Sequence, residues 1–183
     1  MLAFLPSAIL FVVAPLSVSL ALWLGFAAAF AVGLSYFGPT GKIRVFDGAG
    51  LVLFGAMALY EGFIRPGSSQ AEIGLIIEGG LFLAILYSMA TRRPFTSQYV
   101  WLKTEQEPEL LVRAHTLLTA IWASAFAALC GIDALCSVNH SLSPGWASAG
   151  DLVLFGAALT FTWQMGVYID TGRAPILLFL KRR

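Results

Sequence analysis

AEIGLIIEGGLFLAILYSMATRRP, residues 71–94, is the stretch that decides the class of this chain. It opens with some twenty residues that include two glutamates and no basic side chain, and it closes on two arginines and a proline. A helix of about 20 apolar residues crosses a hydrocarbon core that is ~30 Å thick. The arginines suit the headgroup layer, and the proline cannot continue the helix. The stretch therefore predicts a membrane-spanning helix over residues 71–91.

The composition of the whole chain agrees with this prediction. Its 183 residues are 58% hydrophobic and only 11% charged, with a mean hydropathy of +0.82. Soluble domains carry about 25% charged residues and could not hide this much apolar surface. The net charge is +1, without a basic patch or an acidic tail, which argues against a nucleic-acid partner. We expect membrane lipids and other membrane proteins as partners.

The hydrophobic segments predict an all-α, polytopic transmembrane bundle that forms a single membrane domain. The first 38 residues carry no charge and are too long for one span, so we break them at Pro15 in "APLSVS". One long helix kinked at Pro15 is the alternative, which would give five spans instead of six. The six predicted spans are 2–15, 18–37, 45–64, 71–91, 109–137 and 149–171.

Basic residues are distributed unequally between the connections. Ten of the eleven fall on one side of the predicted bundle, and Arg65 falls on the other. Because cytoplasmic loops of membrane proteins are rich in Lys and Arg, the basic loops and the tail 172–183 are expected in the cytoplasm. Six spans would place the N-terminus inside, and five would place it outside. The ten residues are Lys42, Arg44, Arg92, Arg93, Lys103, Arg113, Arg173, Lys181, Arg182 and Arg183.

Glu78 is the most informative single residue, because it lies about 10 Å into a predicted span at ~1.5 Å per residue. An ionisable side chain at that depth normally faces the bundle interior. It could carry a proton or coordinate a cation, or it could be a protonated or hydrogen-bonded carboxyl that helps helices to pack. Glu61 and Asp133 lie near the outer ends of their spans and could form a loose acidic cluster with Glu78, or be solvated at the interface.

A polar stripe runs along the last predicted span. Thr160, Gln164 and Tyr168 follow one another at intervals of four residues and so share a helix face. Hydrogen bonding between helices explains such a stripe, and a solute path that also includes Glu78 is the alternative. His115 has no second nitrogen ligand in a recognisable spacing, and the two cysteines form no metal motif, so neither a metal nor a cofactor is expected.

The segment after the fourth span is both basic and aromatic. Arg92, Arg93 and Pro94 end the span, while Tyr99 and Trp101 suit the headgroup layer as anchors. A phospholipid or an acidic group of a partner protein could dock there. Asp47 is expected to form an interfacial ion pair with Arg44, and Asp170 with Arg173. A lipid-modifying enzyme that uses the two arginines with His115 is a further alternative, although no acid–base or nucleophile pair is evident.

Four short motifs carry a family resemblance. They are "FLP" at 4–6, the step from Arg93 to Pro94, "LTAIWASAF" at 118–126 and "FGAALTFTWQMGVYI" at 155–169. This pattern resembles the intracellular septation protein A family of small bacterial inner-membrane proteins. Positions that match the family are Trp122, Phe126, Gly166, Tyr168 and Ile169.

The chain departs from the family at two places, which would make it a divergent member or a sister group. Thr119 stands where the family usually has asparagine, and "RRPFTSQY" is longer than the family's Lys-Pro-Leu. The resemblance implies a non-enzymatic role in septation or envelope maintenance through protein or lipid partners, in a bacterial inner membrane. The alternative function is a small proton-coupled transporter that uses Glu78 and the polar stripe.

Overall fold

Helices account for almost the whole of the described chain. The structure is a computed structural model that describes residues 2–99, 108–139 and 144–171, and no strand occurs among them. The all-α prediction is confirmed. A 3-10 turn precedes α1, a π-helical turn (Tyr60–Ile64) extends α3, and a second 3-10 turn (Phe95–Gln98) follows α4. The α-helices are α1 (Leu5–Val13), α2 (Val18–Thr40), α3 (Val45–Leu59), α4 (Gln70–Ala90), α5 (Pro108–Val138) and α6 (Pro144–Thr171).

Four of these helices are long and apolar enough to cross a membrane. They are α2, α3 with its π-helical turn, α4, and residues Leu111–Val138 of α5. In lipid every backbone polar group needs an internal partner, which a helix provides for itself. The chain is therefore built as a membrane protein. The predicted spans match the helices within a few residues, except that α6 begins at Pro144, five residues before the expected start.

The first 40 residues form two helices instead of one kinked helix. A turn over residues 14–17 separates α1 from α2, and the Ser17 hydroxyl accepts a hydrogen bond from the Leu20 amide at 3.3 Å. Serine at this position satisfies an otherwise free amide at the start of a helix. The apolar segment Leu2–Val13 is shorter than a span, and Phe4 and Phe11 on it are buried. The short first helix is therefore part of the core of the bundle.

Two helix ends are made by left-handed residues. α2 was expected to stop before Pro39, yet it continues to Thr40, and Gly41 ends it at φ +63. The turn that follows α4 has Arg92, a non-glycine residue, at φ +54. There the Arg93 amide donates to the Ser88 carbonyl at 2.9 Å and the Arg92 amide donates to the Met89 carbonyl at 3.0 Å. This is the hydrogen-bond pattern that usually places glycine at the left-handed position.

An aromatic cluster fills the core between the start of α3 and the middle of α5. The Phe4 ring stacks on the Trp122 indole with 3.9 Å between centroids, and it meets the edge of Phe155 at 5.8 Å. Phe46 and Phe95 stack on each other at 5.2 Å. Aromatic pairs of this kind contribute ~0.5–1.5 kcal/mol beyond the burial of their area. The cluster joins α1, α3, α5, α6 and the turn after α4.

The bundle has two chemically different ends. We call the one where α2 and α4 end and α3 and α5 begin the basic end, because Lys42, Arg44, Arg92, Arg93 and Arg113 lie there. The opposite end holds the connection from α3 to α4, which contains Arg65. The end of α5 and the start of α6 lie there as well. We call it the far end.

A buried carboxylate cluster as the candidate functional site

Three acidic side chains from three helices meet inside the bundle. They are Glu78 on α4, Asp133 on α5 and Asp151 on α6, and one oxygen of each lies within 4.8 Å of the other two. Their exposed fractions are 1%, 2% and 2%. We call this group the carboxylate cluster.

The positions of the three residues along their helices explain why they meet. Glu78 lies eight residues after the start of α4, and Asp151 lies seven residues after the start of α6. Asp133 lies five residues before the end of α5. At ~1.5 Å per residue, each is about 8–12 Å from the far end of the bundle. The three helices run antiparallel to their neighbours, so the side chains converge at one depth.

The carboxylates of the cluster lack partners that would balance them. Both oxygens of Glu78, Oδ2 of Asp133 and Oδ1 of Asp151 accept no hydrogen bond. The two ion pairs found among the described residues, Arg65 with Glu72 and Arg113 with Glu109, are both exposed and lie outside the cluster. Burial of an unpaired carboxylate costs about several kcal/mol. Three such groups side by side are therefore stable only when they bind protons or a cation.

Gly74 makes room for this arrangement. It lies one turn before Glu78 on the same face of α4, where it is buried. A Cβ atom at this position would collide with Oδ2 of Asp133. The carboxylate of α5 can therefore lie against the backbone of α4 only because residue 74 has no side chain.

A polar bridge lies between the cluster and the far end. Nε2 of Gln70 donates to the hydroxyl of Ser148 at 2.7 Å and so connects the first turn of α4 to α6. Gln70 is one turn before Gly74, and Ser148 is three residues before Asp151, so the bridge lies just outside the cluster on both helices. On the other side, Cys130 Sγ lies 4.0 Å from the position that a Cβ atom would take at Gly79.

The sequence predicted part of this cluster. Glu78 is at its centre, and Asp133 joins it and is buried, which excludes the alternative that it is solvated at the interface. Glu61 is placed elsewhere, because its carboxylate accepts hydrogen bonds from the amides of Gly67 at 2.7 Å and Ser68 at 3.2 Å. Asp151 was missed, since a span that begins at residue 149 puts it at the edge of the membrane. The earlier start of α6 carries it seven residues into the helix.

The polar stripe of α6 is not brought to Glu78. The side chains of Thr160 and Gln164 are exposed, whereas Glu78 is buried. The Thr160 hydroxyl donates to the carbonyl of Gly156 on its own helix at 2.8 Å. Tyr168 belongs to α6, and its side chain lies outside the described residues. A solute path through these residues stays a prediction.

The segment after α4 turns back into the bundle. Arg92 and Arg93 are exposed and Pro94 is half-buried, while Phe95 is 1% exposed. Thr96 Oγ1 lies 2.9 Å from both the His115 carbonyl oxygen and Thr119 Oγ1.

Tyr99 points inward as well. Its hydroxyl donates to Oδ1 of Asp47 at 2.8 Å, and the guanidinium of Arg44 lies 4.4 Å from the centre of its ring. Burial raises the pKa of the Tyr99 phenol, and the Asp47 carboxylate adds to the effect. Among the described residues, Asp47 is therefore held by a phenol, and the expected ion pair with Arg44 is not formed. Trp101, Asp170 and Arg173 have no described side chain.

No family model, curated protein or solved structure matches the chain. The resemblance to the septation protein A family, with the envelope role and the partners that it implies, stays a prediction. Trp122 and Phe126, which carry part of that resemblance, are fully buried in the aromatic cluster. Their packing explains these two residues without a partner.

Proposed function

We propose that the chain is a multi-pass protein of a bacterial inner membrane that binds a cation inside its helix bundle and carries it across the membrane. The carboxylate cluster is the observation that carries this proposal. It brings three acidic groups together at a depth where acidic residues mark ion pathways in membrane proteins.

A purely structural role for the cluster would require hydrogen-bond donors. Glu61 illustrates such a role, because it is 4% exposed and accepts bonds from two backbone amides. Glu78 is more deeply buried, and neither of its oxygens accepts a hydrogen bond. The contrast favours a ligand for Glu78 over a role in packing.

A cleft at the far end supports access to the cluster from that side. It has a volume of about 490 Å³, and Tyr60, Arg65, Glu72 and Ser137 are among its lining residues. Ser137 lies one turn after Asp133 on α5, so the cleft reaches the helix that supplies the second carboxylate.

The orientation of the bundle completes the proposal. The excess of Lys and Arg at the basic end favours the cytoplasm for that end. The carboxylate cluster then lies nearer to the outer face of the membrane, and a carried cation would meet it first from that side.

Ion uptake into reconstituted vesicles tests this function. The purified chain is placed in liposomes that contain dyes for protons, Na⁺, Mg²⁺ or Mn²⁺, and uptake is compared between the natural sequence, Glu78→Gln and Glu109→Gln. Glu109 is an exposed glutamate of α5 and serves as the matched control. We expect uptake of at least one cation, lost in Glu78→Gln and kept in Glu109→Gln. Uptake that is no faster than in empty liposomes, or that is unchanged in Glu78→Gln, would overturn the proposal.

A further inference from the structure

The geometry points to a single divalent metal ion of the hard class, Mg²⁺ or Mn²⁺, as the ligand of the carboxylate cluster. Glu78, Asp133 and Asp151 would each supply one carboxylate oxygen. This inference rests on the proposed function, because it names the cation that the cluster binds.

The spacing of the three carboxylates suits one ion. Oxygens bound at ~2.1 Å from the same metal lie ~3.0 Å apart when adjacent and ~4.2 Å apart when opposite. The three oxygens of the cluster are all within 4.8 Å of one another.

The kind of ligand atom selects the class of metal. The three groups of the cluster provide carboxylate oxygens only. His115, the described histidine, lies toward the basic end beside Thr96, so its ring is far from the cluster along α5. Oxygen ligands suit Mg²⁺, Mn²⁺ and Ca²⁺, whereas Zn²⁺ and copper favour nitrogen and sulfur.

The number of ligands distinguishes among these hard cations. Ca²⁺ takes about 6–8 oxygens and usually finds most of them in the protein, whereas Mg²⁺ keeps several of its waters and needs only one or two carboxylates. Three carboxylates leave three octahedral positions for water or a carried anion. Three carboxylate ligands therefore suit Mg²⁺ or Mn²⁺ better than Ca²⁺.

The unpartnered oxygens provide a second, independent argument. Four carboxylate oxygens of the cluster are buried and accept no hydrogen bond, two of them on Glu78. When all three carboxyl groups are ionised, a divalent ion that binds one oxygen of each would reduce the charge of the group from −3 to −1. A monovalent ion would leave a charge of −2 in a medium of low dielectric constant, where repulsion between like charges is strong.

Mn²⁺ titration of the full chain in detergent tests the assignment. Mn²⁺ is paramagnetic, so free and bound ion are counted directly by electron paramagnetic resonance, and Mg²⁺ is then added as a competitor. We expect one Mn²⁺ per chain that Mg²⁺ displaces. Glu78→Gln and Asp151→Asn should each weaken binding at least tenfold, and Glu109→Gln should leave it unchanged. Failure to find a saturable site, or equal affinity in Glu78→Gln, would overturn the assignment.

Unfolding temperatures, measured with and without Mn²⁺, show whether a variant that binds no metal is still folded. Glu78→Gln removes an unpaired buried charge, so without metal it should unfold at the same temperature as the natural sequence or a higher one. Mn²⁺ should raise the unfolding temperature of the natural sequence only. An equal rise in both proteins would contradict a metal at Glu78.

The two proposals can fail separately. If Mn²⁺ binds at the cluster but no cation enters the vesicles, the metal site stands and the carrier function fails. If Na⁺ or proton uptake depends on Glu78 and no Mn²⁺ binds, the carrier function stands and the metal assignment is wrong.

Discussion

The carboxylate of Asp133 on α5 lies directly against the backbone of Gly74 on α4. Gly74 is one turn from Glu78. The contact that brings α4 and α5 together therefore also places Asp133 beside Glu78. Small residues let membrane helices approach closely, and here the approach is made by a carboxylate. The packing of α5 on α4 and the binding of a cation by the cluster therefore both depend on Gly74.

Gly74→Ala tests this dependence. The added methyl group collides with Oδ2 of Asp133, so α5 must shift away from α4. We expect the free energy of unfolding to fall by about 1–3 kcal/mol, as for other overpacked positions, and Mn²⁺ binding to weaken at least tenfold. Thermal unfolding in detergent and Mn²⁺ titration measure the two effects. Gly131→Ala is the matched control, because nothing lies within 4 Å of a Cβ atom at that exposed position on α5.

Glu61 allows the effect of losing a buried carboxylate with a structural role to be distinguished from the effect of losing a carboxylate of the cluster. Its oxygens accept hydrogen bonds from the amides of Gly67 and Ser68, which close the turn between α3 and α4. Glu61→Ala leaves these amides without their acceptor and should lower the free energy of unfolding by about 1–3 kcal/mol. Glu61→Gln keeps one acceptor oxygen and should lose less. Mn²⁺ binding should be unchanged in both, and a tenfold loss would mean that Glu61 belongs to the metal site.

The helices were predictable from the sequence, because a chain that crosses lipid must satisfy its backbone hydrogen bonds internally. A largely apolar run of about 20 residues has few alternatives to a helix in a membrane, and the span predicted over residues 45–64 matches α3 with its π-helical turn. The start of α6 was less predictable, since its polar first turn "PGWASAG" does not look like part of a span. Because of that difference of five residues, Asp151 falls at the edge of the predicted span, although it lies seven residues into the helix.

The turn after α4 shows a second limit of sequence patterns. Tyr99 was predicted to lie in the headgroup layer, and the structure turns it toward Asp47 and buries the neighbouring Phe95. Aromatic residues next to arginines are equally compatible with a lipid anchor and with a segment that folds back. The partners that decide between them, such as the Val45 amide that donates to Gln98 at 3.1 Å, are more than fifty residues away along the chain.

Tyr99→Phe should destabilise the basic end. The variant removes the hydroxyl that donates to Asp47 and leaves a buried acceptor without its donor, at a cost of about 1–3 kcal/mol. Because burial raises the pKa of Tyr99 in the folded state, its contribution is complete below the pKa of an unfolded tyrosine, ~10, and is lost as the pH rises above it. Thermal unfolding between pH 8 and 11 should therefore show a steeper alkaline loss in the natural sequence than in Tyr99→Phe. Parallel curves would contradict a buried Tyr99.

Arg92→Gly should make the protein more stable. Arg92 has φ +54, a conformation that costs a side-chain-bearing residue about 1–2 kcal/mol relative to glycine. Thermal unfolding should show a gain of about 1 kcal/mol. Arg93→Gly also removes one arginine, and since its φ is not positive it should show no gain. A gain in Arg93→Gly but not in Arg92→Gly would contradict the left-handed end of α4.

The two ends of the bundle should be on opposite sides of the membrane. Arg65 is exposed at the far end, and Arg93 is exposed at the basic end. In a background where Cys130 and Cys136 are alanine, a single cysteine is introduced as Arg65→Cys or Arg93→Cys and treated with a membrane-impermeant maleimide. Because the positive-inside tendency places the basic end in the cytoplasm, intact cells should be labelled at residue 65. Residue 93 should react only after the membrane is opened. Labelling of residue 93 in intact cells would reverse the orientation, and would place the carboxylate cluster nearer to the cytoplasm than to the outer face.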